Sequence, residues 1–169
     1  MKKIIAFILG LILVVGWLCC RGEETNSYLR KVSKALDIDI KDGEIMQESD
    51  SHGGFHGDGT TLIEIKLTDQ DVLRQMEERW KEMPLSENLT ALVYGLQTEG
   101  YSVGPALHSG DGKPMIPEVK NGYYYFTDRH YQSTDAQDDS KVLDRYSYNF
   151  TIAIYDINTQ TMYYMELNT

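Results

Sequence analysis

The chain has 169 residues, with 26 acidic against 16 basic side chains and a formal net charge of −10. That balance excludes a nucleic-acid-binding surface and adhesion of the folded part to anionic lipid. Cys19 and Cys20 are its two cysteines, so the 147 residues after residue 22 form no internal disulfide and must be held by an apolar core.

Lys2 and Lys3 precede an unbroken apolar run from Ile4 to Cys20, which stops at Arg21-Gly22-Glu23-Glu24. A positive start, an apolar core and an abrupt polar boundary predict a signal peptide or membrane anchor over residues 1–22. The run of 17 residues is at the short end of what spans a bilayer. Three outcomes remain open: lipidation at Cys19 or Cys20, an uncleaved anchor, or cleavage near Gly22. In each the positive start stays inside, and residues 23–169 lie on the outer face of the cell membrane as one extracytoplasmic domain.

Thr25 to Leu36 reads as a helix with Tyr28, Leu29, Val32, Ala35 and Leu36 on one face. Glu44 to Ser51 and Thr60 to Leu67 read as strands joined by a hairpin connection; in the second, Ile63, Ile65 and Leu67 alternate with Glu64 and Lys66. Thr68 and Asp71 predict a capping box for a helix carrying Val72, Leu73, Met76, Trp80 and Met83, ended by Pro84. Ser86 caps a second helix with Leu89, Leu92, Val93 and Leu96.

Gly100 to Val119 shows little periodicity, Tyr123 to Phe126 is a strand, and Asp128 to Asp144 is a polar excursion. A long irregular loop of this kind is functional or mobile. Tyr146, Tyr148, Phe150, Ile152 and Ile154 alternate with Ser147, Asn149, Thr151 and Ala153, and Met162 to Leu167 returns after a turn at 156–160. The order predicts an α+β domain, an antiparallel sheet of about five strands with two to three helices on one face.

One segment gathers residues able to do chemistry. Asp50, His52, His56 and Asp58 fall within nine positions, and imidazoles and carboxylates are what zinc or a related divalent ion accepts. The spacing is not the metalloprotease helix motif, and Gly53 and Gly54 argue against a helix. The competing reading is a tight hairpin connection, with glycines at positive φ or bulge positions and Phe55 closing the sheet end. A third has His52, Gly53, Gly54, Phe55, His56, Gly57 and Asp58 touching a partner. Elsewhere the signals are thinner. Asp135, Asp138 and Asp139 lack EF-hand spacing, Asp128-Arg129 and Asp144-Arg145 read as solvated or ion-paired structure, and His108 or His130 with a serine carries no nucleophile-elbow motif.

The Ser51-His52-Gly53-Gly54-Phe55-His56-Gly57-Asp58-Gly59 segment, with Asn121-Gly122-Tyr123-Tyr124, Asp128-Arg129 and the hairpin from Asn149-Phe150-Thr151 to Tyr164, resembles small membrane-anchored or lipoprotein-like proteins of Gram-positive bacteria. The resemblance implies export and one compact domain, and brings no catalytic residues and no cofactor. The residues therefore favour a membrane-tethered, non-enzymatic domain that binds a protein or cell-wall partner. The alternative is a metal-binding sensor or metal-dependent enzyme built on His52 and His56.

Overall fold

The computed structural model describes residues 25, 27–53 and 57–169. The expected signal or anchor at 1–22, with Cys19 and Cys20, lies outside the described residues, as do Gly54, Phe55 and His56. Among the described residues, no helix is long and apolar enough to cross a membrane. The described residues fall into two compact units, one ending at Lys41 and the other spanning residues 42–169.

The first unit holds helix α1, described over residues 27–36. Leu29, Val32 and Leu36 recur at helical spacing. Asp37 ends the helix in the left-handed region at φ 51°. The Ile38 amide then reaches back to the Ser33 carbonyl at 3.2 Å, which satisfies a last-turn acceptor. The Ser33 hydroxyl also accepts from the Ile40 amide at 3.1 Å, folding the tail against the helix end.

The second unit is built on a six-stranded sheet. In chain order its strands are β1 (Glu44–Asp50), β2 (Gly59–Lys66), β3 (Lys81–Glu82), β6 (Gly122–Asp128), β7 (Asn149–Asp156) and β8 (Thr161–Asn168); β4 (Leu96–Thr98) and β5 (Tyr101–Val103) form a separate hairpin. The sheet order is β1-β2-β8-β7-β6-β3, and every pairing is antiparallel. The α+β class therefore holds, with six strands rather than about five. The sixth is β3, only two residues long, too short to leave a periodic signal.

Helix α2 spans Gln70–Arg79 and helix α3 spans Glu87–Tyr94. Their placement corrects the expectation that the helices share one face. Leu89, Leu92 and Val93 of α3 join Tyr124, Phe126, Phe150, Ile152, Ile154, Met165 and Leu167 in one buried cluster. Side chains alternate along β6, so Tyr123 and Tyr125 face the other way. It is these that α2 meets: Trp80 packs on Tyr125 with ring centroids 5.9 Å apart, and the Tyr123 hydroxyl donates to Glu77 at 3.5 Å. The helices lie on opposite faces. Consistently, Thr151 and Ala153, which alternate with Ile152 and Ile154, are buried along with them. The central strands are apolar on both sides because both sides are covered.

Two boundaries of α2 also move. Asp69, not Thr68, is the cap, accepting from the Asp71 amide at 2.8 Å. The helix stops at Arg79, well before Pro84, because Trp80 turns extended so that Lys81 and Glu82 can pair with Tyr124 and Tyr123. Edge pairing and the Trp80–Tyr125 contact outweigh another helical turn. Ser86 caps α3 as expected, accepting from the Leu89 amide at 3.1 Å.

Candidate functional site

Register places both irregular segments at one end of the sheet. Asp50 closes β1 opposite Thr61, Gly59 opens β2 opposite Asn168, and Asn168 closes β8 opposite Asn149, which opens β7. Asp128 closes β6 opposite Phe150. The glycine-rich connection 51–58 and the excursion 129–148 therefore leave the same end.

A chain of hydrogen bonds runs across it. The Arg129 guanidinium donates to the Asn168 side-chain oxygen at 3.1 Å. The Asn168 amide nitrogen lies 2.8 Å from His52 Nε2, and His52 Nδ1 lies 2.7 Å from an Asp50 carboxylate oxygen. The direction of every bond follows from one fact: arginine can only donate. Asn168 must then turn its oxygen to Arg129 and its NH2 to His52. Nε2 accepts, and the ring proton sits on Nδ1, pointing at Asp50. Both ring nitrogens of His52 are thereby engaged, and a metal at His52 would have to displace one of these bonds.

The glycines beside it divide the expected roles. Gly57 has φ +73°, the positive value anticipated. Gly59 instead lies so close to the neighbouring strand that an added Cβ would stand 2.7 Å from the His52 backbone nitrogen. Its requirement is space, not handedness. The Ser51 hydroxyl donates to the Thr60 carbonyl at 3.2 Å and accepts from the Thr60 amide at 2.8 Å, so it serves the hairpin backbone. Asp58 is exposed.

The excursion is fastened along its length. Asp128, 4 % exposed, takes the Arg145 guanidinium at 2.5 Å and the His130 amide at 3.0 Å. The two acid–base dipeptides are thus ion-paired across the loop's base, Asp128 to Arg145. The Asp128 amide donates to the Ala136 carbonyl at 2.7 Å, and Asn88 of α3 donates to the Asp139 carbonyl at 2.9 Å. The Ser86 hydroxyl bonds the Asp139 carboxylate, and Val142 is buried in the α3 core. The Ser140 amide, first among the groups around it, holds exposed Asp138 below the usual carboxylate range.

His130 shows the opposite proton placement to His52. Its Nδ1 accepts from the Gln132 amide at 3.2 Å, so Nε2 carries the proton and donates to the Ser147 hydroxyl at 3.2 Å. A general base would need a free lone pair there. The Ser109 hydroxyl is turned to Asp111 at 2.5 Å and not to His108. Among the described residues, no serine–histidine pair has the proton placement that activates a nucleophile.

The excursion also presents aromatic surface that residue-type reasoning missed. Tyr131 is 86 % exposed and Tyr146 fully so, and they neighbour in sequence the bonded pair His130 and Ser147. Tyr131 rests on the His130 ring at a centroid distance of 4.5 Å, which orients it. Gln132, next to Tyr131, and Arg145, next to Tyr146, both line a cleft of about 100 Å³, whose other lining side chains include Ser133, Asp135, Asp138 and Lys141. The available signal was Tyr131 inside a polar, acidic stretch; Tyr146, expected to begin the C-terminal strand, lies before it, because β7 opens only at Asn149.

A broader concavity of about 470 Å³ lies at the opposite end, lined by Asp42, Gly43, Glu44, Lys66, Thr68 and Asp69. There Asp69 caps α2 and the Lys66 ammonium donates to the Thr159 carbonyl. Comparison with protein-family models, with curated proteins and with solved structures gives no match to this chain.

Proposed function

We propose that the chain is a membrane-tethered extracytoplasmic module that binds a protein or cell-envelope partner through the loop end of residues 42–169, without catalysing a reaction. One observation carries the reading: the excursion is fastened at its base and middle, yet it holds Tyr131 and Tyr146 out in solvent. Aromatic side chains are enriched at protein interfaces, and fixing them beforehand lowers the entropy lost on binding.

The apolar run at residues 4–20 supports the tether, and the resemblance to small membrane-anchored proteins points the same way. The metal alternative gains no support from His52, whose ring nitrogens are already committed.

The test is cosedimentation of the full chain, in detergent, with purified cell envelope. The wild type pellets with the envelope, and Tyr131→Ala with Tyr146→Ala stays in the supernatant at an unchanged urea midpoint. Equal pelleting of both proteins contradicts the reading. Deleting residues 1–22 moves the protein from membranes to the soluble fraction; retention on membranes would disprove the tether.

A further inference from the structure

We infer that the loop end takes a neutral polysaccharide, with one sugar substituent in the polar cleft and sugar ring faces against Tyr131 and Tyr146; this rests on the binding role proposed above. The cleft decides the chemistry. Its lining mixes acceptors (Asp135 and Asp138), groups that both donate and accept (Gln132 and Ser133) and donors (Lys141 and Arg145). A ligand whose hydroxyl or acetamido groups donate and accept in turn satisfies such a set. An apolar ligand would meet a mostly polar lining.

A polyanion would meet two carboxylates in the cleft and a chain of formal charge −10. A volume of about 100 Å³ holds a substituent, not a whole drug-sized ligand. The remaining contact area must come from outside the cleft, and the tyrosines supply it: a flat apolar face with a polar tip suits the C–H face and hydroxyl rim of a sugar ring. Tyr131 is held ready by the His130 ring, and its other face is open.

A partner strand added to the sheet edge is disfavoured. The β1 edge carries Glu44, Glu48 and Asp50, and its register shifts between Ile45 and Gln47. Charges and a bulge are what blunt an edge against pairing.

The experiment uses the full chain in detergent micelles, with beads of an N-acetylglucosamine polymer, beads of a neutral glucose polymer, and beads carrying polyglutamate. The expected result is saturable binding to at least one neutral polymer and none to polyglutamate. Tyr131→Ala and Tyr146→Ala each weaken it by about fivefold or more, as loss of a stacked ring implies. Tyr131→Phe keeps binding within about twofold, because the ring face and not the hydroxyl makes the contact. Absence of binding to both neutral polymers, or binding indifferent to the tyrosines, overturns the inference. If that happens while envelope cosedimentation still depends on Tyr131 and Tyr146, the ligand class is wrong and the binding end stands. If neither assay depends on them, both readings fall.

Discussion

The two connections at the loop end invert what their compositions suggest. His52, His56 and four glycines crowd residues 52–59, the combination that most invites a chemical role. Yet His52 is absorbed into a structural chain with Asp50, Asn168 and Arg129. The excursion 129–148 is polar, acidic and without motif. It is nonetheless pinned by a buried ion pair and shows two bare aromatic rings to solvent. On the proposed reading, density of reactive residue types is a poorer guide than the contrast between fixed backbone and exposed side chain.

That contrast breaks most sharply at the base of the excursion. Arg145→Met leaves Asp128 buried and unpaired, with side chains that are 12 % and 1 % exposed in the wild type. The expected cost is about 3–5 kcal/mol, seen as a lower urea midpoint. A loss under about 1 kcal/mol would mean that the loop is held by its other contacts and that the pair is dispensable.

The glycine-rich connection answers on a smaller scale. Gly59→Val forces Cβ into the His52 backbone and should cost about 1–3 kcal/mol, as overpacking does. Gly57→Ala meets open space and pays only the left-handed penalty, about 1 kcal/mol. Denaturant melts that ranked Gly57→Ala as the worse change would show that chain handedness, not strand approach, shapes this turn.

The smallest expected effect tests the hydrogen-bonded chain. His52→Ala and Asn168→Ala should each cost about 0.5–1.5 kcal/mol, and the double variant less than their sum, because they remove the same contact. Zinc titration of the parent by calorimetry should give no stoichiometric heat. A signal that disappears in His52→Ala would restore the metal reading.

How far the sequence reveals this depends on distance along the chain. The β7–β8 hairpin was legible because both strands run for eight residues and the turn between them is local, although β7 begins at Asn149 and not at Tyr146; the Ser86 cap was legible because it is local too. The opposite placement of α2 and α3 was not. It follows from the strand order, in which β8 lies between β2 and β7 and gives the centre of the sheet two covered faces. Periodicity inside one strand carries no such information. The partner of His52 was equally hidden, since Asn168 stands 116 residues away. The Asp128–Arg145 pair could be anticipated only as ion pairing of neighbouring dipeptides, not as the clamp of a loop. Tyr131 and Tyr146 are two of nine tyrosines after residue 120, and β-propensity accounts for tyrosines there without pointing to a surface.

The central claim is that the excursion, and not the glycine-rich connection or the opposite end, is the contact surface. Amide hydrogen exchange of the full chain, with and without purified cell envelope, tests it most directly. The account predicts envelope-dependent protection concentrated in residues 129–148, with the 156–161 turn unchanged. Protection centred on 156–161 or on the outer edge of β1, with residues 129–148 exchanging as in the free protein, would contradict it.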